Sequence, residues 1–258
     1  MNYPLHMENT QYIDASCDES APLFTHYSTQ WDALSHIGQH FEADGDGIAD
    51  IVYYNGFKGG ADVLGPGAEG GARARRLGIE KFAETSVQGR GVLLDLGRIY
   101  GGDRTLVGYD ALLRAMLSQS VEVEAGDMRC IHTGFAQLVV EMDGSPDPRV
   151  LHNALAVLGG GTTGCSGGAT TAVSPLAADN FAVAAYPNRA PDGCDHCVGL
   201  PLHHQCLFKL GLPLGELWYL SELAAWLRAH NGSRFFLTTP PLRLPGSFGS
   251  PLTPVAIV

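Results

Sequence analysis

What the sequence lacks narrows the class of protein first. It has no surplus of positive charge, because 16 lysines and arginines stand against 27 aspartates and glutamates, which gives a net charge of −11. A chain this acidic is not expected to bind nucleic acid or an anionic membrane surface. It also lacks any apolar run close to the ~18 residues of a membrane span, and its first residues do not have the composition of a signal peptide. We therefore expect a cytoplasmic protein with no membrane partner.

Charged residues, internal repeats and linkers are also scarce. With 45% hydrophobic and 17% charged residues, the composition is that of an ordinary folded protein. We predict one domain over residues 1–258, with an irregular N-terminal arm at 1–22 and a proline-rich C-terminal wrap at 235–258. The six cysteines are expected to be reduced thiols, as is usual in the cytosol: Cys17, Cys130, Cys165, Cys194, Cys197 and Cys206.

A polar strand is the strongest sign of chemistry. Nothing between His26 and Asp32 breaks an extended chain, and several residues there favour strands. Because strand side chains alternate between faces, one face is predicted to carry His26, Ser28, Gln30 and Asp32. His36 can fold back toward the same place. Such a row of nitrogen and oxygen donors suits zinc or manganese, although the solvated face of an ordinary strand is the commoner alternative.

A second group of donors lies far along the chain. A short helix is predicted over Leu202–Leu210, ended by Gly211, and it carries the adjacent residues His203 and His204. Glu216 lies in the turn that follows this helix. A helix and turn of this kind can bring one histidine and the glutamate to the first donor face. Other predicted elements are strands at 91–96, 127–133 and 177–185, and helices at 109–120, 149–158 and 221–230.

Three further motifs are weaker. Residues 164–168 fit the Gly-x-Ser-x-Gly nucleophile elbow but lack the strand that should precede it. Residues 194–197 form Cys-x-x-Cys in a loop-like context, for which a surface turn is the simpler interpretation. The Asp-Gly-Asp-Gly run at 44–47 lacks the remaining ligands of a calcium loop and reads as a turn. His132, in the strand at 127–133, is interpreted as a core histidine.

The run His26-x-x-x-Gln30-x-Asp32-x-x-x-His36 resembles the signature of the cyclase superfamily, which includes bacterial kynurenine formamidase and isatin hydrolase. The usual signature is His-x-Gly-Thr-His-x-Asp-x-Pro-x-His. Further blocks resemble the family in the same order and extend the resemblance from about residue 24 to 230: Tyr54-Asn55-Gly56, Gly91–Asp95, Gly126–Gly134, Asp179-Asn180-Phe181, and Leu200–His203 with Glu216.

The resemblance implies an α/β fold with a mixed β-sheet core and helices packed outside, the swivelling β/β/α architecture of kynurenine formamidase. It implies a site for one divalent ion, zinc or manganese, with His26, Gln30, Asp32, His203 and Glu216 as ligands. His36 would be the acid/base residue, and Asp32 would also orient the attacking water. The neighbouring His204 is the alternative to His203. The family also implies a homodimer or homotetramer.

The resemblance also implies a function, with departures that limit it. A hydrolase acting on an amide, lactam or lactone carbonyl of a small, aromatic substrate is expected, and Trp31, Tyr54, Asn55 and Phe181 are expected to wall its pocket. For the three aromatic residues, ordinary packing in the core is an equal alternative. Gln30 replaces a histidine, which favours one metal ion over two; Ser28 and Leu34 replace a glycine and a proline. The alternatives are a ring-closing cyclase or dehydratase, and a catalytically silent relative that only binds a small molecule or a partner.

Overall fold

The computed structural model describes residues 2–5, 16–159, 175–186 and 197–258. The strands, in chain order, are β1 (Asn2–Leu5), β2 (Ser16–Glu19), β3 (Gln30–Asp32), β4 (Gln39–Phe41), β5 (Asp50–Val52), β6 (Val63–Leu64), β7 (Arg73–Ala74), β8 (Gln88–Asp95), β9 (Thr105–Val107), β10 (Met128–His132), β11 (Ala156–Leu158), β12 (Leu176–Ala178), β13 (Leu214–Glu216), β14 (Arg234–Thr238), β15 (Gly249–Pro251) and β16 (Val255–Ile257).

The helices of the described residues are mostly short. They are α1 (Glu80–Thr85), α2 (Gly97–Tyr100), α3 (Tyr109–Ser118), α4 (Phe135–Glu141), α5 (Pro148–Asn153), α6 (Pro201–His203) and α7 (Ser221–Ala229). A 3₁₀ turn spans Tyr54–Gly56, and a π-helix over His204–Leu210 continues α6. Within the described ranges, no helix is long and apolar enough to cross a membrane.

An eight-stranded mixed sheet forms the centre of the fold, in the order β15-β3-β13-β12-β10-β8-β14-β16. The four middle strands, from β13 to β8, run parallel to one another, and the two strands at each edge are antiparallel to their neighbours. Parallel strands are covered on both faces, which explains why the middle of β8 reads as a continuous apolar run. The predicted single α/β domain is confirmed.

Two hydrophobic cores cover the two faces of this sheet. One contains Leu94 and Ile131 with residues of α3, α6 and the π-helix, such as Leu202. The other contains Trp31 and Trp218 with the buried side of α7. The side chains of a strand therefore divide between a face under α3 and α6 and a face under α7. This division decides which residues can meet at a site.

Several predicted elements differ from the structure. The strand expected at 177–185 ends at Ala178, and the helix expected at 149–158 ends at Asn153 and is followed by β11. The N-terminal arm contains the antiparallel pair β1–β2, and the C-terminal wrap supplies β15 and β16 to the main sheet. Cys130 and Cys206 are buried thiols outside any disulfide, as expected. Cys197 is disulfide-bonded, so the prediction of reduced thiols is wrong for this residue. A disulfide forms only where the fold brings two sulfur atoms within bonding reach, which cysteine spacing alone does not show.

A polar cluster closes the carboxyl ends of the middle strands. His132, the last residue of β10, places Nδ1 2.8 Å from the Asp95 carboxylate at the end of β8. Its Nε2 lies 3.4 Å from the Ser221 hydroxyl, at the start of α7, and 4.0 Å from Asp179. His132 is thus the satisfied core histidine that the sequence predicted. Burial and the positive charge of Arg228 would lower the pKa of His132. The hydrogen bond to Asp95 and the negative charge of Asp179 outweigh them, so the pKa is raised.

The raised pKa gives His132 a pH-dependent contribution to stability. The stabilisation should be fully present below the ordinary histidine pKa of about 6.5 and lost as the pH rises through the higher folded value. The variant H132Q should therefore lose more unfolding free energy near pH 5.5 than near pH 9. Urea unfolding at both values, with the exposed His40 replaced by glutamine as control, measures this difference. An equal loss at both values would contradict it.

Candidate metal centre

The site begins with the way β3 is anchored. Its central residue, Trp31, is 1% exposed and lies in the core under α7, where its indole N–H donates to the Thr239 carbonyl oxygen at 3.0 Å. Trp218 packs edge-on against it at 4.9 Å between ring centroids and donates to the Gln30 carbonyl oxygen. Because side chains alternate along a strand, this anchor turns Gln30 and Asp32 to the opposite face. Trp31 was expected to wall the substrate pocket, but it lies on the other face of the sheet, in the hydrophobic core.

A turn, not a strand, carries His26. The chain forms turns and bends from Thr25 to Thr29 and becomes extended only at Gln30, so the predicted strand is four residues too long. Ser28 is exposed and is not part of the donor row. His26 nevertheless reaches the site: its Nε2 lies 3.6 Å from Asp32 Oδ1, and its ring stacks on His36 with 4.2 Å between centroids.

Strand pairing brings the second group of donors to the first. In the antiparallel pair β3–β13, Glu216 lies opposite Gln30, and Leu214 lies opposite Asp32. The helix α6 then lays His203 over both carboxylates: its Nε2 is 3.3 Å from Asp32 Oδ2 and 3.1 Å from Glu216 Oε1. The distant segments around 26–36 and 203–216 thus meet. Of the two adjacent histidines, His203 faces the cluster.

The neighbour His204 points elsewhere. Its ring packs against Phe208, one turn along the π-helix, with 5.3 Å between centroids. Gly211 ends that helix in the left-handed conformation, at φ +66°, as the sequence predicted.

Two groups of potential ligands share one carboxylate. His26, Asp32 and His36 form one group, and Asp32, His203 and Glu216 form the other; within each group the ligand atoms lie within 4.8 Å of one another. Asp32 and His203 are 0% and 2% exposed, and Glu216 is 8% exposed. Buried carboxylates require compensating positive charge. Imidazole nitrogens and carboxylate oxygens together are donors that zinc and manganese accept.

Unpartnered atoms in the cluster also fit a metal ion. His26 Nε2 and Gln30 Oε1 are buried and have no hydrogen-bond partner among the described residues. Gln30 turns its amide nitrogen to the carboxylates, donating to Asp32 at 3.3 Å and to Glu216 at 3.4 Å. In this arrangement Gln30 holds the two acids together, while its oxygen is the atom that could reach an ion.

The ionisation states follow from burial and from the close contacts. Burial and the neighbouring histidines lower the pKa of His36 to about 4, despite the opposing effect of Asp32. Burial would also lower the pKa of His203, but its contacts with Asp32 and Glu216 raise it to about 9. The pKa of Glu216 is raised, first by burial and then by the charge of Asp32. Burial would raise the pKa of Asp32, but the surrounding histidines lower it.

A loop with unusual backbone geometry supports Glu216. The amide of Leu217 donates to the Asn180 carbonyl oxygen at 3.1 Å, and a backbone hydrogen bond from Ala182 stabilises the Glu216 carboxylate. Ala182, Val183 and Leu217 all have φ between +55° and +59°, a region that non-glycine residues rarely adopt. Strain of this kind persists only where the surrounding structure enforces it. Asn180 was expected only as part of a family block, and no signal in the sequence pointed to this support.

The remaining predicted pocket residues have other surroundings. Tyr54 packs its ring on Gly211, at the far end of the π-helix, and Asn55 is exposed at φ +59°. Phe181 contacts Phe135 and His152, at 5.3 and 5.8 Å between centroids. Their role in substrate binding stays a prediction.

Of the three weaker motifs, only the Asp-Gly-Asp-Gly run lies wholly within the described residues. Residues 164–168 and 194–196 lie outside the described residues. Glu42, Asp44 and Asp46 do come within 4.8 Å of one another, but all three are exposed. Lys58 already pairs with Asp44 at 2.7 Å. These acids therefore form a solvated turn, as the sequence predicted.

Known proteins resemble this chain in sequence and fold. The Cyclase family model ("Putative cyclase") matches residues 1–183. The crystal structure of a novel cyclase is 31% identical, with a TM-score of 0.70, covering 98% of this chain and 74% of the other. A search of curated proteins finds no significant match.

Two more distant structures share the fold. An isatin hydrolase bound to the product analogue thioisatinate is 13% identical, with a TM-score of 0.55, over 100% of this chain and 80% of that one. Isatin hydrolase A from Labrenzia aggregata, bound to benzyl benzoate, is also 13% identical, with a TM-score of 0.54 over 95% and 75% of the two chains.

Gly249 provides a test of the site's geometry. It lies opposite Asp32 in β15, where a Cβ atom would overlap His26 Nε2 and approach the Trp31 carbonyl oxygen to 2.8 Å. The variant G249A should therefore displace His26 and weaken zinc or manganese binding by about tenfold or more. Calorimetric titration of EDTA-treated protein measures the affinity. The control is G65A, whose Cβ would meet nothing within 4 Å; equal affinity in both variants would contradict the prediction.

Proposed function

This chain belongs to the cyclase family, and from that premise we propose that it is a metal-dependent hydrolase acting on an amide, lactam or lactone carbonyl of a small molecule. The observation that carries the proposal is the buried cluster in which Asp32 is shared by two groups of metal-binding side chains. The two isatin hydrolases among the structural relatives support hydrolysis.

The proposed ligands are His26, Gln30, Asp32, His203 and Glu216. A bound zinc or manganese ion would polarise the substrate carbonyl and lower the pKa of a water molecule toward neutrality. The protein's own contribution is to present two carboxylates and two imidazoles in one buried place. The strand pair β3–β13 places the carboxylates on one face, and the Gln30 amide nitrogen donates to both of them.

His36 is proposed as the acid/base residue. It stacks on His26 and lies 6.1 Å, between centroids, from His203, so it is beside the cluster on the side of the first histidine. An imidazole there can take a proton from the attacking water and pass it to the leaving group. The same geometry would also allow His36 to be a ligand, because His26, Asp32 and His36 form one of the two groups.

We expect one metal ion per chain. Asp32 and Glu216 bring two negative charges to the centre, which one divalent ion balances, whereas Gln30 is neutral and adds none. Elemental analysis of protein reconstituted with zinc or manganese should give a ratio near one, and removal of the ion with EDTA should abolish turnover. Two ions per chain would contradict the proposed site, and full activity after EDTA would contradict the proposed chemistry.

The variant H36A separates the two roles of His36. As acid/base residue, its loss should reduce kcat by about 10²-fold to 10⁴-fold while the metal content stays at the wild-type ratio. The control is H40A, an exposed histidine outside the cluster, which should change neither value. Hydrolysis of a panel of lactams, lactones and amides, followed by product mass, gives the activity. Loss of the metal in H36A would make His36 a ligand, and products lighter by one water would indicate ring closure.

A further inference from the structure

Asn180 is a buried polar residue whose side chain has no bonding partner in the fold. It is 2% exposed, and neither its amide nitrogen nor its amide oxygen has a hydrogen-bond partner among the described residues. Burying an unpaired amide is costly, and buried polar groups are nearly always bonded to protein, water or a ligand. Because both atoms are unpaired, this side chain offers a ligand one N–H donor group and one acceptor oxygen side by side.

The alternation of side chains places this amide on the face of the metal cluster. Ala178, at the end of β12, lies in the core under α3 and α6. The next residue, Asp179, turns its carboxylate to the face of α7, where it lies 4.0 Å from His132. Asn180 therefore returns to the first face, which also carries Glu216.

Main-chain contacts hold Asn180 next to Glu216. The Asn180 carbonyl oxygen accepts from the amide of Leu217, the residue after Glu216, at 3.1 Å. Two residues beyond Asn180, the main chain of Ala182 makes a hydrogen bond to the Glu216 carboxylate. The unpaired amide thus lies in the segment that supports one of the proposed metal ligands.

A metal ion alone cannot complete the bonding of this amide. An ion binds through the lone pairs of its ligands, so it can use the amide oxygen but leaves the N–H group unpaired. A lactam can satisfy both atoms, because its ring holds the amide cis and so presents the carbonyl oxygen and the N–H on one edge. A lactone has no N–H, and an open-chain secondary amide is trans, with these two groups on opposite sides.

We propose that Asn180 pairs with both the carbonyl oxygen and the N–H of a lactam ring, and so makes the site selective for lactams over lactones and open-chain secondary amides. The Asn180 N–H donates to the lactam oxygen, and the Asn180 oxygen accepts from the lactam N–H. With a lactone, the Asn180 oxygen faces the ring oxygen and stays unpaired, which weakens binding. The inference rests on the proposed function for the location of the substrate, but the pairing itself requires no turnover.

Oxindole, 2-coumaranone and acetanilide are suitable probes, because they are a lactam, the lactone of the same ring system and an open-chain trans amide. The full chain is titrated calorimetrically after EDTA treatment, so that binding is measured without hydrolysis. Wild-type protein should bind oxindole about tenfold or more tightly than either of the other two. The variant N180A should lose this preference. N180S should keep part of it, because a hydroxyl group can still donate and accept.

The matched control is T239V, which removes another buried polar group without a partner among the described residues. Thr239 is 0% exposed and lies beside Trp31, on the face opposite the cluster, so the preference should be unchanged. No binding of oxindole, equal binding of oxindole and 2-coumaranone, or a preference that survives in N180A would overturn the proposal. If N180A does not fold by circular dichroism, the full wild-type preference in N180S decides against it.

The proposed function is tested separately by restoring zinc to the same wild-type protein and following oxindole by product mass. Selective binding without turnover would contradict the proposed hydrolysis and still support the pairing with Asn180. Turnover of oxindole and 2-coumaranone with equal kcat/KM, in protein that binds both equally, would support hydrolysis and overturn the role of Asn180.

Discussion

The antiparallel pairing of β3 with β13 is the interaction on which the site depends. It sets Glu216 opposite Gln30 and Leu214 opposite Asp32, and so places two carboxylates on one buried face. Hydrogen bonds between main chains fix this register, and a slip by one residue would turn every side chain of β3 to the other face. The pairing therefore decides whether the acidic side chains contact His203 or point into the hydrophobic core on the other face.

The tryptophans on the opposite face secure that register. Trp31 and Trp218 are 1% and 0% exposed and pack edge-on against each other, and their indole N–H groups bond to the main chain. Large buried aromatic side chains contribute much of the apolar area that stabilises a core. The cost of holding charged groups together on one face is thus offset by packing directly behind the same strand. In β3, Gln30 and Asp32 thus belong to the metal cluster, and Trp31 between them belongs to the hydrophobic core.

This alternation also shows what the sequence could predict. The motif spacing and the resemblance brought together His26, Asp32, His36, His203 and Glu216, because local patterns identify donors even when the strand is misjudged. The same alternation of side chains should have excluded Trp31 from the predicted substrate pocket, since it stands between Gln30 and Asp32 and so faces away from them. Gly249 and the loop at Asn180 could not be found in this way. Their roles come from strand pairs and backbone contacts between distant segments, which a single sequence does not specify.

The cluster's ionisation argues that its geometry suits a cation. Burial raises the pKa of Glu216, and contacts with Asp32 and Glu216 raise the pKa of His203 to about 9. Without a metal ion, bound protons therefore balance the buried negative charge. A divalent ion supplies that charge from the same position, and histidine must give up its proton to become a ligand. Proton and metal therefore compete for one arrangement of atoms. A fold that merely tolerated these acids could have neutralised them with a nearby arginine; here histidines, which can exchange a proton for a metal ion, surround Asp32 instead.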